Sequence, residues 1–101
     1  MGKNQDLFLY SMKKVKKVCE IKGLVPGQVI DAPTKIQFTR GTNKRLKTIT
    51  WDEFEAILNE KNLEVWGTKG GWMKIFSKDE RPVPDDQVKV LDEENWLYIP
   101  G

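Results

Sequence analysis

A chain of 101 residues, 39% apolar and 32% charged, has the size and composition of one domain with a single modest core, 1–101. Its lone cysteine, Cys19, excludes an intramolecular disulfide and a cysteine-rich metal site, and the absence of histidine removes the commonest general base and metal ligand together. The net charge of +2 hides a split: residues 1–50 hold eleven Lys and Arg against three acids, and the remainder six against twelve.

Function classes fall away on the same grounds. Ser11 and Ser77 are the only serines, and neither sits in a Gly-x-Ser-x-Gly elbow. The acids cluster at a helix cap and in loops, where solvated turn residues are the ordinary reading. No catalytic residue, no metal and no small-molecule cofactor is expected, and the chain reads as a non-enzyme. The longest apolar run, Leu7 to Tyr10, is far below the ~20 residues of a membrane span. With no secretory pattern at the N-terminus, a cytoplasmic location without membrane contact is the expectation.

Residues 1–11 read as a flexible tail with Met12 as an alternative start, as an edge strand over Gln5 to Tyr10, or as the opening of a helix capped by Asp6. In the helical version Phe8, Met12, Val15 and Cys19 share a face and Gly23 ends the helix. Strand character is expected near Cys19 to Leu24. Val25-Pro26-Gly27-Gln28 fits a type II turn, delivering Val29-Ile30 as a short strand. Lys35 to Arg40 alternates apolar and polar as a half-buried strand does, Gly41 to Lys44 reads as a turn, and Arg45 to Ile49 returns. This is a basic hairpin.

The stretch Thr50 to Asn62 carries the clearest signals. Thr50 with Glu53 three residues on makes a capping box, Trp51, Phe54, Ile57 and Leu58 form one apolar face, and Asn62 is a left-handed stop. A second hairpin follows around Gly67 to Gly71, with Trp66 facing Trp72 and Glu64 facing Lys74 on one side. Ser77 to Gln87 reads as a surface loop. Val88 and Val90 are expected to pair with Ile99 and Leu97 in a third hairpin. The fold class is therefore α+β: one central helix packed on a bent antiparallel sheet built from three β-hairpins, with an extra N-terminal helix as an open alternative.

The candidate binding residues are Lys35, Arg40, Lys44, Arg45 and Lys47 of the basic hairpin, with Trp66, Lys69 and Trp72 of the next one. Cations spaced along a strand pair can follow a phosphate backbone, and exposed indoles can stack on bases or anchor a protein. The leading expectation is a small protein contacting nucleic acid non-specifically. The alternative is a protein-binding regulator or inhibitor of phage or mobile-element type, meeting a host protein through an exposed tryptophan surface. The glycine-rich loop lacks the spacing of a phosphate-binding loop and reads as a hairpin turn. The order of helix, Gly-rich hairpin and extended piece across residues 51–84 resembles that of the HicA-type RNA-cleaving toxins. Where that family carries Gly-Ser-His, this chain has Gly70-Gly71-Trp72, so the resemblance implies no activity and no site residue.

Overall fold

A computed structural model describes residues 7–91. It is α+β: two helices and two antiparallel-rich sheets. In chain order the elements are β1 (Phe8–Tyr10), α1 (Met12–Lys22), β2 (Val25–Val29), β3 (Ala32–Thr39), β4 (Leu46–Thr48), α2 (Trp51–Glu60), β5 (Leu63–Gly67), β6 (Met73–Ser77) and β7 (Val90–Leu91). Contacts divide the chain into two compact units, Met1–Lys16 with Glu64–Gly101, and Lys17–Leu63.

The first unit holds a four-stranded sheet in the order β6-β5-β1-β7. Phe8 stands opposite Gly67 and Leu9 opposite Trp66 in the antiparallel β1–β5 pair, while β7 joins β1 in parallel. Of the segment left open between tail, strand and helix, residues 1–6 lie outside the described residues, Phe8–Tyr10 is a strand, and the helix begins after it at Met12. Ser11 sets that boundary: its Oγ accepts the Lys14 amide at 3.1 Å, and its carbonyl the Val15 amide at 2.9 Å. In the second hairpin, the Thr68 amide donates to the Trp72 carbonyl (2.9 Å) and the Gly71 amide to the Thr68 carbonyl (3.2 Å), with Gly71 at φ +102°. This is a tight turn closed by a glycine bulge. Thr68, rather than Trp66, therefore stands opposite Trp72. The third hairpin anticipated around residues 88–99 lies mostly outside the described residues; within them, Val90 and Leu91 pair with β1.

The second unit holds the sheet β3-β2-β4 with α2 against β2 and β3. Here two expectations change. Val25–Val29 is the central strand and not a turn, so the segments expected to form the basic hairpin flank β2 and do not pair with each other. A proline in a central strand normally breaks the ladder. Pro26 is tolerated because its carbonyl, which accepts the Ile49 amide at 3.1 Å, points toward β4, and its missing N–H points the same way, beyond the end of β4 at Thr48. Pairing jumps from Val29–Ala32 to Gln28–Ile36, so Pro33 to Lys35 bulge from the edge strand, and the Gln28 side chain donates to the Pro33 carbonyl at 2.8 Å.

The helix α2 forms as its sequence dictates. Thr50 Oγ1 accepts the Glu53 amide (3.1 Å) and Glu53 Oε1 accepts the Thr50 amide (2.8 Å), which closes the capping box. Asn62 ends the element at φ +57°. Phe54, fully buried, meets Phe38 and Trp51 with ring centroids 5.4 Å apart in each case. The helix α1 closes at Gly23 (φ +73°), where the Leu24 amide bonds back to the Cys19 carbonyl at 2.8 Å. Cys19 is buried, which pushes its thiol up to about 12, with Lys22 pulling weakly the other way. At pH 8 a thiol-reactive dye should therefore label the folded protein about a hundredfold more slowly than the denatured chain. Equal rates would mean that α1 opens freely.

Candidate nucleic-acid interface

The basic residues of the second unit sit where the chain passes from one edge of its sheet to the other. Between Asp31 and Asp52 there is no acid, and Lys35, Arg40, Lys44, Arg45 and Lys47 all lie in that interval. All five are exposed, and among the described residues none of them is in an ion pair. Lys35 belongs to the bulge of β3. Arg40, Lys44 and Arg45 belong to the connection between Thr39 and Leu46. Lys47 lies on β4.

That connection is pinned at both ends. The Gly41 amide donates to Thr39 Oγ1 (3.0 Å), and Asn43 takes the Arg45 amide on its Oδ1 (2.9 Å) and the Leu46 amide on its carbonyl (3.1 Å). The Arg45 carbonyl in turn accepts the Ile30 amide at 3.0 Å, so Arg45 continues the β2–β4 ladder by one step. Gln28 is paired with both Ile36 and Lys47, so these three share a face. Phe38 lies two residues beyond Ile36 on that face and touches Phe54, so it is the side covered by α2. Arg45 and Lys47, two residues apart on an edge strand, therefore project the same way with a spacing of roughly 6.6 Å. The Lys47 charge also reaches Glu53. There the Thr50 amide, the Thr50 hydroxyl and, more weakly, Lys47 hold the carboxyl below its ordinary range.

The other three candidates lie in the first unit and differ in kind. Trp66 is fully buried, with its Nε1 donating to Glu64 Oε1 at 3.1 Å, so its ring offers no surface to a base or a partner. Of the two indoles offered by the sequence as candidate contacts, only Trp72 is thus accessible. Trp72 is 49% exposed. Lys69 is exposed in the hairpin turn, its Nζ 5.7 Å from the Phe8 ring centroid. The eight candidates accordingly fall five in one unit and three in the other.

Two constellations carried no sequence signal. Asn43 read as a turn residue, but its bonds to Arg45 and Leu46 were not legible. Glu64, expected opposite Lys74, is instead gripped by Arg81 seventeen residues away. Arg81 Nε donates to Oε1 at 3.0 Å and Nη2 to Oε2 at 2.7 Å, while Nη1 lies 3.5 Å from Asp85. Burial would raise the Glu64 pKa, but the bonds from Arg81 and Trp66 and the charges of Arg81 and Lys78 outweigh it and hold the carboxyl below 4.5.

The first unit also carries a groove of ≈ 540 Å³ between Leu7, Pro82, Val83 and Val88, with Asp86 and Lys89 on its wall. Its one acid and one base are exposed, and no nucleophile lines it. Among the described residues no three acids or cysteines converge as metal ligands. Among them, too, no helix is long and apolar enough to cross a membrane. The chain matches no family model, no curated protein and no solved structure.

Proposed function

We propose that this is a small, non-enzymatic protein that contacts nucleic acid non-specifically through the exposed cations around its β3–β4 connection. The observation that carries this reading is the run from Lys35 to Lys47: five exposed bases, none ion-paired among the described residues, in an interval free of acids. Each cation that neutralises a phosphate releases condensed counterions, which supplies affinity without reading sequence. The pinned connection keeps the ordering cost of binding low.

Replacing Arg40, Arg45 and Lys47 by glutamate should weaken binding to a labelled oligonucleotide at 50 mM salt by roughly a hundredfold or more. Circular dichroism and melting should stay near wild type, since all three side chains are exposed. Unchanged affinity with the fold intact would overturn the reading.

A second reading, a regulator or inhibitor that binds a host protein, is supported by Trp72, a half-exposed residue beside a glycine turn. Tryptophan is enriched among interface hot spots. Trp72→Ala should then abolish capture of a partner from nuclease-treated lysate, while capture that persists in this variant would exclude that surface.

A further inference from the structure

We infer that the polyanion taken by the second unit is a duplex, held by its phosphate backbones through Arg40, Lys44, Arg45 and Lys47 and without base stacking. This rests on the nucleic-acid reading above and narrows it to one class of ligand. Three observations carry it.

The first is the fate of the aromatic rings. The unit contains Phe38, Trp51 and Phe54, and all three meet in one cluster between α2 and β3: Phe38 tilted on Phe54, Trp51 edge-on to it, Phe54 fully buried and the other two half-buried. Proteins that prefer single strands recover the cost of ordering them by stacking bases on exposed rings. Two half-buried rings already engaged by Phe54 offer little of that contribution.

The second is the fixed backbone beneath the cations. The Thr39–Gly41 bond, the two Asn43 bonds and the Ile30–Arg45 bond fix the backbone on either side of Lys44 and Arg45. Arg45 and Lys47 emerge in register from one edge strand. A backbone fixed in advance suits a ligand whose charges are also fixed. A flexible single strand loses freedom on meeting it.

The third is charge density. A duplex carries a phosphate every ~1.7 Å of axis and a single strand one every ~3.4 Å, so the same four cations release more counterions from the duplex, with a salt exponent of about 0.9 against about 0.7 per contact. For four contacts this difference amounts to about 0.8 logarithmic units, or about sixfold in affinity, for each tenfold dilution of salt.

The test is fluorescence anisotropy of the full chain with a labelled 20-base-pair duplex and with the corresponding single strand, between 50 and 300 mM salt. Expected is a duplex preference that grows as salt falls, a duplex slope of about −3 to −4, and a slope flatter by about 0.9 in Arg45→Gln. A single strand bound as tightly as the duplex, or one that alone quenches tryptophan fluorescence, would overturn the duplex assignment while leaving the nucleic-acid reading standing. Failure of both ligands to bind at 50 mM salt would overturn the two together.

Discussion

Alanine at Gly67 should cost about 3 kcal/mol of folding stability, the upper end of what overpacking costs, and lower the melting temperature by roughly 12–24 °C. A Cβ at this position would stand 2.6 Å from Cζ and 2.8 Å from Cε1 of Tyr10, and in still closer conflict with the Trp72 carbonyl. Neither neighbour can yield cheaply. The Tyr10 ring is buried, its hydroxyl donates to the Thr68 carbonyl, and the Lys14 Nζ lies 5.6 Å from its ring centroid. Burial also pushes its phenol up to about 12. The Trp72 carbonyl accepts the Thr68 amide that closes the hairpin turn. The strand β5 therefore carries glycine at Gly67 because β1 brings the Tyr10 ring up against it, with no positive φ involved. Urea unfolding of Gly67→Ala, of Tyr10→Ala and of the double variant would check this. The double variant should lose about 1 kcal/mol less than the two singles combined, since removing the ring relieves part of the clash. A Gly67→Ala protein within about 0.5 kcal/mol of wild type would show that the Tyr10 ring and the Trp72 carbonyl yield cheaply.

The parts of this fold that were legible in the sequence are those fixed by neighbours in the chain. The α2 helix is one: its capping box, acidic first turn, apolar face and Asn62 stop all act within four residues, and the structure has them all. Lys35, Arg40, Lys44, Arg45 and Lys47 are exposed as expected, but not by alternation alone: Arg40 and Lys44 lie in a connection, and Lys47 shares a face with Ile36 and is exposed because β4 is an edge strand. What could not be read depends on residues distant in sequence. Val25-Pro26-Gly27-Gln28 has the local chemistry of a turn, and it becomes a central strand only because β4 stops short of Pro26. The hairpin around Gly70 was anticipated, but its register was set by Gly71 at positive φ, which moved Trp66 away from Trp72. Trp66 then turned from a candidate contact into a buried residue whose indole nitrogen needed an acceptor. That acceptor, Glu64, was assigned to Lys74 because cross-strand charge pairing is a local rule, whereas its actual partner reaches it from the loop after β6.

The Glu64–Arg81 contact carries a second large expectation. Glu64 is 7% exposed and accepts three hydrogen bonds, two from Arg81 and one from Trp66. Glu64→Gln keeps an acceptor for the indole but removes the charge that Arg81 grips, and should cost about 2 kcal/mol at pH 7. The pH dependence separates this from a simple loss of packing. The folded Glu64 carboxyl titrates below its ordinary 4.5, so the folded state holds fewer protons than the unfolded chain in that window. Its stabilisation is fully present above 4.5 and is lost as pH falls through the folded value. The gap between wild type and Glu64→Gln should accordingly be constant from neutral pH down to about 5 and close below 4.5, because wild-type Glu64 then takes up the proton that the amide imitates. Chemical denaturation of both proteins between pH 3 and 7 would measure it. A gap that stays constant to pH 3 would mean that the variant acts through shape alone; no gap at pH 7 would mean that Arg81 is equally well served by water. Should the gap close as expected, the same result fixes the role of the loop after β6: Arg81 ties it to β5 through Glu64, and Trp66 stays buried because its one polar atom is satisfied by that same carboxylate.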